Sequence, residues 1–238
     1  MATLNTLLVN GNSVNGTRNW NTNQDYLNID ETIAGADGSA IIDNTNGNST
    51  QVSSYLLSNT NTDFGKIISL SWRIRRRVSG AQTNQRTLGV RIVTETAGVV
   101  LAAADSGGTF TSLGIITNTT FANAGPTAFA YVNTTATKAQ WDDARIEFQN
   151  SVNKVHGGDV NGMEIDSVEL TGTYNSKPTV ALNTADAFDF GDDPTPTLEF
   201  TGSDAEGDDL EYQVQIFSSL QSDVDKYVES NQDADTDM

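Results

Sequence analysis

Gly162-Met163-Glu164-Ile165-Asp166-Ser167-Val168-Glu169-Leu170-Thr171-Gly172-Thr173-Tyr174 leads through Asn175-Ser176-Lys177-Pro178 into Thr179-Val180-Ala181-Leu182, and this stretch decides how the chain is organised. Val168, Leu170 and Tyr174 fall on one face, with Glu169 and Thr171 on the other. That is the period-2 alternation of a half-buried strand. The apolar parity shifts between Ile165 and Val168, which predicts a β-bulge between them. Pro178 has no N–H to give a ladder, so the strand ends there. Val180 and Leu182 then restart the alternation. The stretch reads as the last strand of one β domain (residues 1–175), a short linker, and the first strand of a second (residues 176–238).

Working back, residues 66–78 alternate most clearly. Ile68, Leu70, Trp72 and Ile74 are expected on one face. Ser69, Ser71, Arg73, Arg75 and Arg77 are expected on the other. Residues 85–95 follow with Leu88, Val90 and Ile92 in alternation, and Ala97-Gly98 turns the chain into Val99-Val100-Leu101, so an antiparallel meander is predicted. Further strands are predicted over 109–116, 128–132 and 141–148, where Ala144, Ile146 and Phe148 alternate with Asp143, Arg145 and Glu147. Before residue 66, short apolar pieces at 4–9, 26–33, 40–42 and 52–57 are separated by Asn-Gly and Asp-Gly turns. Residues 1–20 are a candidate extended arm. Eight or more strands without a long amphipathic helix predict an all-β, antiparallel jelly-roll or β-sandwich.

Apolar residues make up 37% of the chain, which suits a sandwich with solvated outer faces better than a doubly buried parallel sheet. No apolar run reaches membrane-spanning length, and no membrane partner is expected. The N-terminus lacks a basic region followed by a long apolar core, so no signal peptide is read and synthesis in a cytoplasm is expected. The absence of cysteine excludes disulfides, thiolate metal sites and a cysteine nucleophile. Charge is uneven. Residues 1–175 hold 15 acidic and 11 basic side chains, whereas residues 176–238 hold 16 acidic and 2 basic. A surface this acidic repels polyanions, so no nucleic-acid partner is expected.

Several side chains invite a functional reading, each against a plainer one. Asp204, Glu206, Asp208 and Asp209 surround a glycine turn and offer hard oxygen ligands to Ca²⁺. The plainer reading is a solvated acidic turn. Arg73, Arg75 and Arg77 line one strand face and match carboxylates on a neighbouring subunit. The plainer and favoured reading is cross-strand pairing within the sheet. Trp20 and Trp141, at strand starts, would form a glycan platform if exposed, and core packing if not. His156 is the single histidine, so one chain cannot build a histidine-dependent catalytic triad or a multi-histidine metal site. Asp30/Glu31 and Asp142/Asp143 are neighbouring pairs whose members point to opposite faces of a strand, so neither pair can flank one glycosidic bond. No catalytic residues are assigned.

Two patterns match known families. The threonine-rich run after residue 110, Trp141-Asp142-Asp143-Ala144-Arg145-Ile146-Glu147-Phe148 and Met163-Glu164-Ile165-Asp166-Ser167-Val168-Glu169-Leu170 ending in Gly172-Thr173-Tyr174 resemble the distal half of jelly-roll domains in tailed-bacteriophage virion proteins. Asn19-Trp20 and Asp30-Glu31 match the start of such domains. Pro178-Thr179-Val180, Pro194-Thr195-Pro196-Thr197-Leu198-Glu199-Phe200 and residues 203–216 resemble the first strands of bacterial and phage Ig-like or fibronectin-III-like repeats, with the second half of that module missing as written. The resemblance implies a non-enzymatic structural component of a phage particle, in a tail fibre, head fibre or capsid decoration. It implies docking to other virion proteins, homo-oligomerisation and no required cofactor, with Ca²⁺ the one candidate ion. Similar jelly rolls serve as carbohydrate-binding modules, so an adhesive module bound to a host-surface glycan is the alternative.

Overall fold

In a computed structural model that describes residues 1–17, 20, 25–43, 49–79, 85–153, 162–183, 199–205, 207 and 210 (the side chains of Ser49 and Asn153 excepted), the two strongest alternations become the two longest strands. These are β5 (Phe64–Val78) and β12 (Met163–Ser176). The remaining early strands are β1 (Ala2–Thr3), β2 (Val9–Asn12), β3 (Ile41–Asp43) and β4 (Ser49–Leu57). After β5 come β6 (Gln85–Thr94), β7 (Val100–Ala103), β8 (Thr111–Ile115), β9 (Ala122–Ala128) and β10 (Tyr131–Val132). A short helix, α1 (Lys138–Asp142), leads into β11 (Ala144–Asn153), and β13 (Thr179–Leu182) and β14 (Phe200–Ser203) follow β12.

The fold is all-β and antiparallel. Sheet A runs β1-β12-β5-β9, with β3 beside the other end of β12. Sheet B runs β10-β7-β6-β11-β4-β2, with β8 beside β6. The inward side chains of both sheets merge into one core: Leu70, Trp72, Ile74, Val168 and Leu170 from sheet A, and Tyr55, Leu88, Val90, Ile92, Ile146 and Phe148 from sheet B. Each such side chain contributes roughly 1.5–3 kcal/mol by leaving water. A one-residue slip in β5 or β12 would turn the whole set outward, so their register is firmly specified.

The β5–β12 register shifts at three points, the third between Asn175 and Ser176 at the strand end. Ile165 opposes Arg76 and Ser167 opposes Arg75, which leaves Asp166 as the extra residue of β12. This is the bulge the parity shift predicted. A second shift lies on β5, where Ser69 opposes Thr173 but Ile67 opposes Tyr174. Ile68 is the extra residue there. It is 38% exposed, and Ile67 takes the core position expected of it. Between the bulges the strands approach closely. A Cβ at Gly172 would lie 2.1 Å from the Ser69 carbonyl oxygen, so only glycine fits.

Residues 26–33 are not a strand. Tyr26–Asn28 form a 3-10 turn capped by Asp25, and the chain then loops across sheet A. The strand expected from residue 141 starts later, because Trp141 belongs to α1. That helix opens on a reciprocal cap: the Thr137 hydroxyl accepts from the Gln140 N–H, and the Gln140 side chain accepts from the Thr137 N–H.

One end of the core is polar. Asp43 and Asn150 are fully buried and Arg86 is 1% exposed. Asn150 Nδ2 donates to Asp43 Oδ2 at 2.6 Å. Burial disfavours the charged form of Arg86, and the Asp43 charge opposes that effect. The pair ties β3 of sheet A to β6 and β11 of sheet B.

β13 and β14 form a separate two-stranded ribbon. The main sandwich thus ends at the Lys177-Pro178 break, while the division into compact units falls later, at residues 1–207 and 208–238. Of the second unit, Leu210 alone lies among the described residues.

Candidate functional site

The outer face of sheet A carries a row of paired charges. Arg73 pairs with Glu169 at 3.5 Å and Arg77 with Glu164 at 2.7 Å, each to the residue directly opposite on β12. Arg75 faces Ser167, which has no charge to offer. The bulge supplies the missing carboxylate, and Arg75 binds Asp166. Phe121 completes the face, with the Arg77 and Arg75 guanidinium carbons 4.1 and 4.9 Å from its ring centroid. Arg73, Arg75 and Arg77 therefore make cross-strand ion pairs within their own sheet, the arrangement favoured from sequence over an intersubunit clamp.

Residues 31–39 lie over this ladder as a strap. The Ile33 N–H donates to Glu169 Oε1 at 2.8 Å, and the Gly38 N–H donates to Asp166 Oδ1 at 3.3 Å. Arg75 donates to the Ala36 carbonyl at 3.2 Å. Glu169 and Asp166 thus each serve a cross-strand cation and a strap amide together. The strap brings Glu31 and Asp37 to Asp166, and one carboxylate oxygen from each of the three lies within 4.8 Å of the other two. Arg75 and Arg77 bring two positive charges to the same place.

Sheet B carries a second ladder. Glu147 receives Arg91 at 2.7 Å and Arg145 at 2.9 Å, and Arg145 also reaches Glu95 at 3.3 Å. Glu95 fastens the N-terminal segment. It accepts from the Ser13 hydroxyl at 2.6 Å and from the Val14 and Asn15 N–H groups at 2.7 Å each. Burial pushes the Glu95 carboxyl up, but the bonds from Ser13, Asn15, Val14 and Arg145 outweigh it and hold it below its ordinary value. A depressed carboxylate stabilises the fold above its unfolded-state pKa, and that contribution is lost as pH falls through the folded-state value. Glu95→Gln is therefore expected to lower the urea midpoint at neutral pH, and the gap from wild type is expected to close under acid. A gap that stays constant with pH would contradict this.

The other candidates divide. Trp20 and Trp141 are both 0% exposed. Trp20 packs on Phe148, and Trp141 on Phe64, at 6.4 and 6.5 Å between centroids. Neither presents a ring to a glycan, so the platform reading is corrected. Trp141 lies on α1 and not on a strand, and strand periodicity carries no information about whether such a position is buried. Asp204 lines a cleft with Asp63, Lys177, Thr179 and Ser203, and its carbonyl accepts from the Gly207 N–H at 3.3 Å. Gly207 has a φ of 78°, as a tight turn requires. Glu206, Asp208 and Asp209, like His156, lie outside the described residues. Asp142 is occupied by Thr60 and Lys138, and Asp143 by Thr96. The Glu31–Asp37–Asp166 group was not foreseen. Asp166 is distant in sequence from Glu31 and Asp37, and only the bulge at Asp166 left a local trace.

No family model, curated protein or solved structure matches the chain. No helix among the described residues is long and apolar enough to cross a membrane.

Proposed function

We propose that this chain is a non-enzymatic structural component of a tailed-phage particle, working by docking to other virion proteins and by self-association. The observation that carries the reading is where the resembling residues fall. Trp141 to Phe148 supply the end of α1 and the first half of β11, the strand between β4 and β6 at the middle of sheet B. Met163 to Tyr174 supply β12, the strand between β5 and the β1/β3 side of sheet A. The likeness to virion jelly rolls therefore rests on the strands that organise the sandwich. A rigid two-sheet block, with a charge ladder on each outer face, suits a part that bears load in an assembly. Fibre, tail and capsid positions are all compatible with it.

Light scattering on the purified chain, with and without Ca²⁺, tests the self-association. A closed oligomer of fixed size is expected. A monomer of 25.5 kDa under both conditions would remove self-association from the proposal.

A further inference from the structure

The strap over sheet A has an electrostatic problem. Asp37 is exposed, Glu31 half-buried and Asp166 fully buried, and their carboxylate oxygens share one small volume. The charged groups packed around them are accounted for one by one. On β5, Arg73 is engaged by Glu169, Arg75 by Asp166 and the Ala36 carbonyl, and Arg77 by Glu164. On β12, Glu164, Asp166 and Glu169 are those same partners. Beyond β5, Phe121 offers only its ring. On the strap itself, Asp37 accepts from the Ser39 N–H at 2.7 Å. Glu31 pairs with no cation among the described residues, and its Oε2 is buried without a hydrogen-bond donor. Two ionised carboxylates so placed repel each other. One proton between them turns repulsion into a charge-assisted O–H···O⁻ bond.

We propose that Glu31 and Asp37 share one proton, which holds residues 31–39 shut over the charged face of sheet A, and that its loss to solvent releases the strap and uncovers Arg75 and Asp166. The strap is tied down by few bonds. Its backbone anchors are Ile33 to Glu169, Gly38 to Asp166 and Ala36 to Arg75. Two of the three converge on the Arg75–Asp166 pair beside the shared proton. An extra negative charge at Glu31 acts directly on that pair.

The environments of the two carboxyls place the proton on Glu31. Burial is the largest influence on Glu31 and raises it, the backbone N–H groups of Glu31 and Asp37 oppose the rise, and the Asp37 carboxyl adds to it. Asp37 is held below its ordinary value, chiefly by the Ser39 N–H and hydroxyl. Burial also raises Asp166 against the Arg75 charge, so its influence runs in the same direction. For an acid raised in the closed state, the contribution to closure is complete below the open-state pKa and is lost as pH rises through the closed-state one.

The test follows the full chain in the presence of a chelator. Carboxyl ¹³C shifts report the Glu31 titration, and hydrogen exchange at the Ile33 and Gly38 amides, corrected for intrinsic rates, reports the strap. Glu31 is expected to titrate above 4.5, its ordinary value. Protection is expected to fall about tenfold for each unit by which closure raises the pKa, as pH rises from below 4.5, the open-state value, to above the closed-state value. Glu31→Gln supplies an uncharged donor to Asp37 and is expected to keep the strap protected at every pH. Asp37→Asn is expected to flatten the profile in the same way. A Glu31 that titrates at or below 4.5, or a wild-type profile that matches Glu31→Gln, would overturn the proposal.

Discussion

Asp43→Asn is expected to destabilise the protein by about 3–5 kcal/mol, since removal of one partner strands a buried charge. The substitution keeps the shape and removes only the carboxylate. Arg86, 1% exposed, then holds a guanidinium inside the sandwich without the Asp43 charge that opposes its desolvation. Asn150 loses a charged acceptor at 2.6 Å and gains a neutral one. The damage falls where β3 of one sheet meets β6 and β11 of the other, so both sheets are expected to loosen in one transition. Urea unfolding at neutral pH checks the size of the loss. The double variant Asp43→Asn/Arg86→Met removes both charges and is expected to regain most of it, because a buried ion pair replaced by apolar groups is often neutral. A single variant within about 1 kcal/mol of wild type would show that Arg86 does not depend on Asp43.

The second large effect is expected at Trp141. Truncation of a buried tryptophan to alanine costs about 3–5 kcal/mol through lost transfer energy and the cavity left behind. For a domain of this size that lowers the thermal midpoint by roughly 6–20 °C. Trp141 is fully buried on α1 and packs on Phe64, which stacks in turn on Tyr174. Its loss loosens the contact between α1 and β5 and the end of β12. A tryptophan that served as a sugar platform would behave in the opposite way, leaving the midpoint unchanged and abolishing glycan affinity. Differential scanning calorimetry of Trp141→Ala therefore separates a core residue from a ligand-binding one.

The sequence disclosed the strands that bury one face and solvate the other. In β5, β6, β11 and β12 side-chain polarity and side-chain direction coincide, so alternation is enough to find them. The bulge at Asp166 showed as a break in parity for the same reason. The bulge at Ile68 left no such trace, because Ile67 and Ile68 are both apolar and either could fill the core position. β9 was missed because Ala122-Asn123-Ala124-Gly125-Pro126-Thr127-Ala128 has no large apolar residue. It is an edge strand held by backbone pairing to β5, which composition does not encode. The start of α1 was legible in principle, since Thr137 and Gln140 stand at capping-box spacing before Trp141.

The candidate site was legible only in its arginines. Their alternation on β5 was plain, and so was the expectation of cross-strand partners. The strap was not, because Glu31 and Asp37 meet Asp166 only through tertiary structure. Trp20 and Trp141 illustrate the same limit. Strand periodicity says which way a side chain points, but whether a loop or helix then covers it depends on contacts distant in sequence.

The central proposal is that this sandwich is a part of a tailed-phage particle. Quantitative mass spectrometry of gradient-purified tailed particles from the source of the chain tests it most directly. The account predicts the chain in the particle fraction, in a fixed multiple of copies per particle and retained through a high-salt wash. A chain that remains wholly in the particle-free fraction would contradict it.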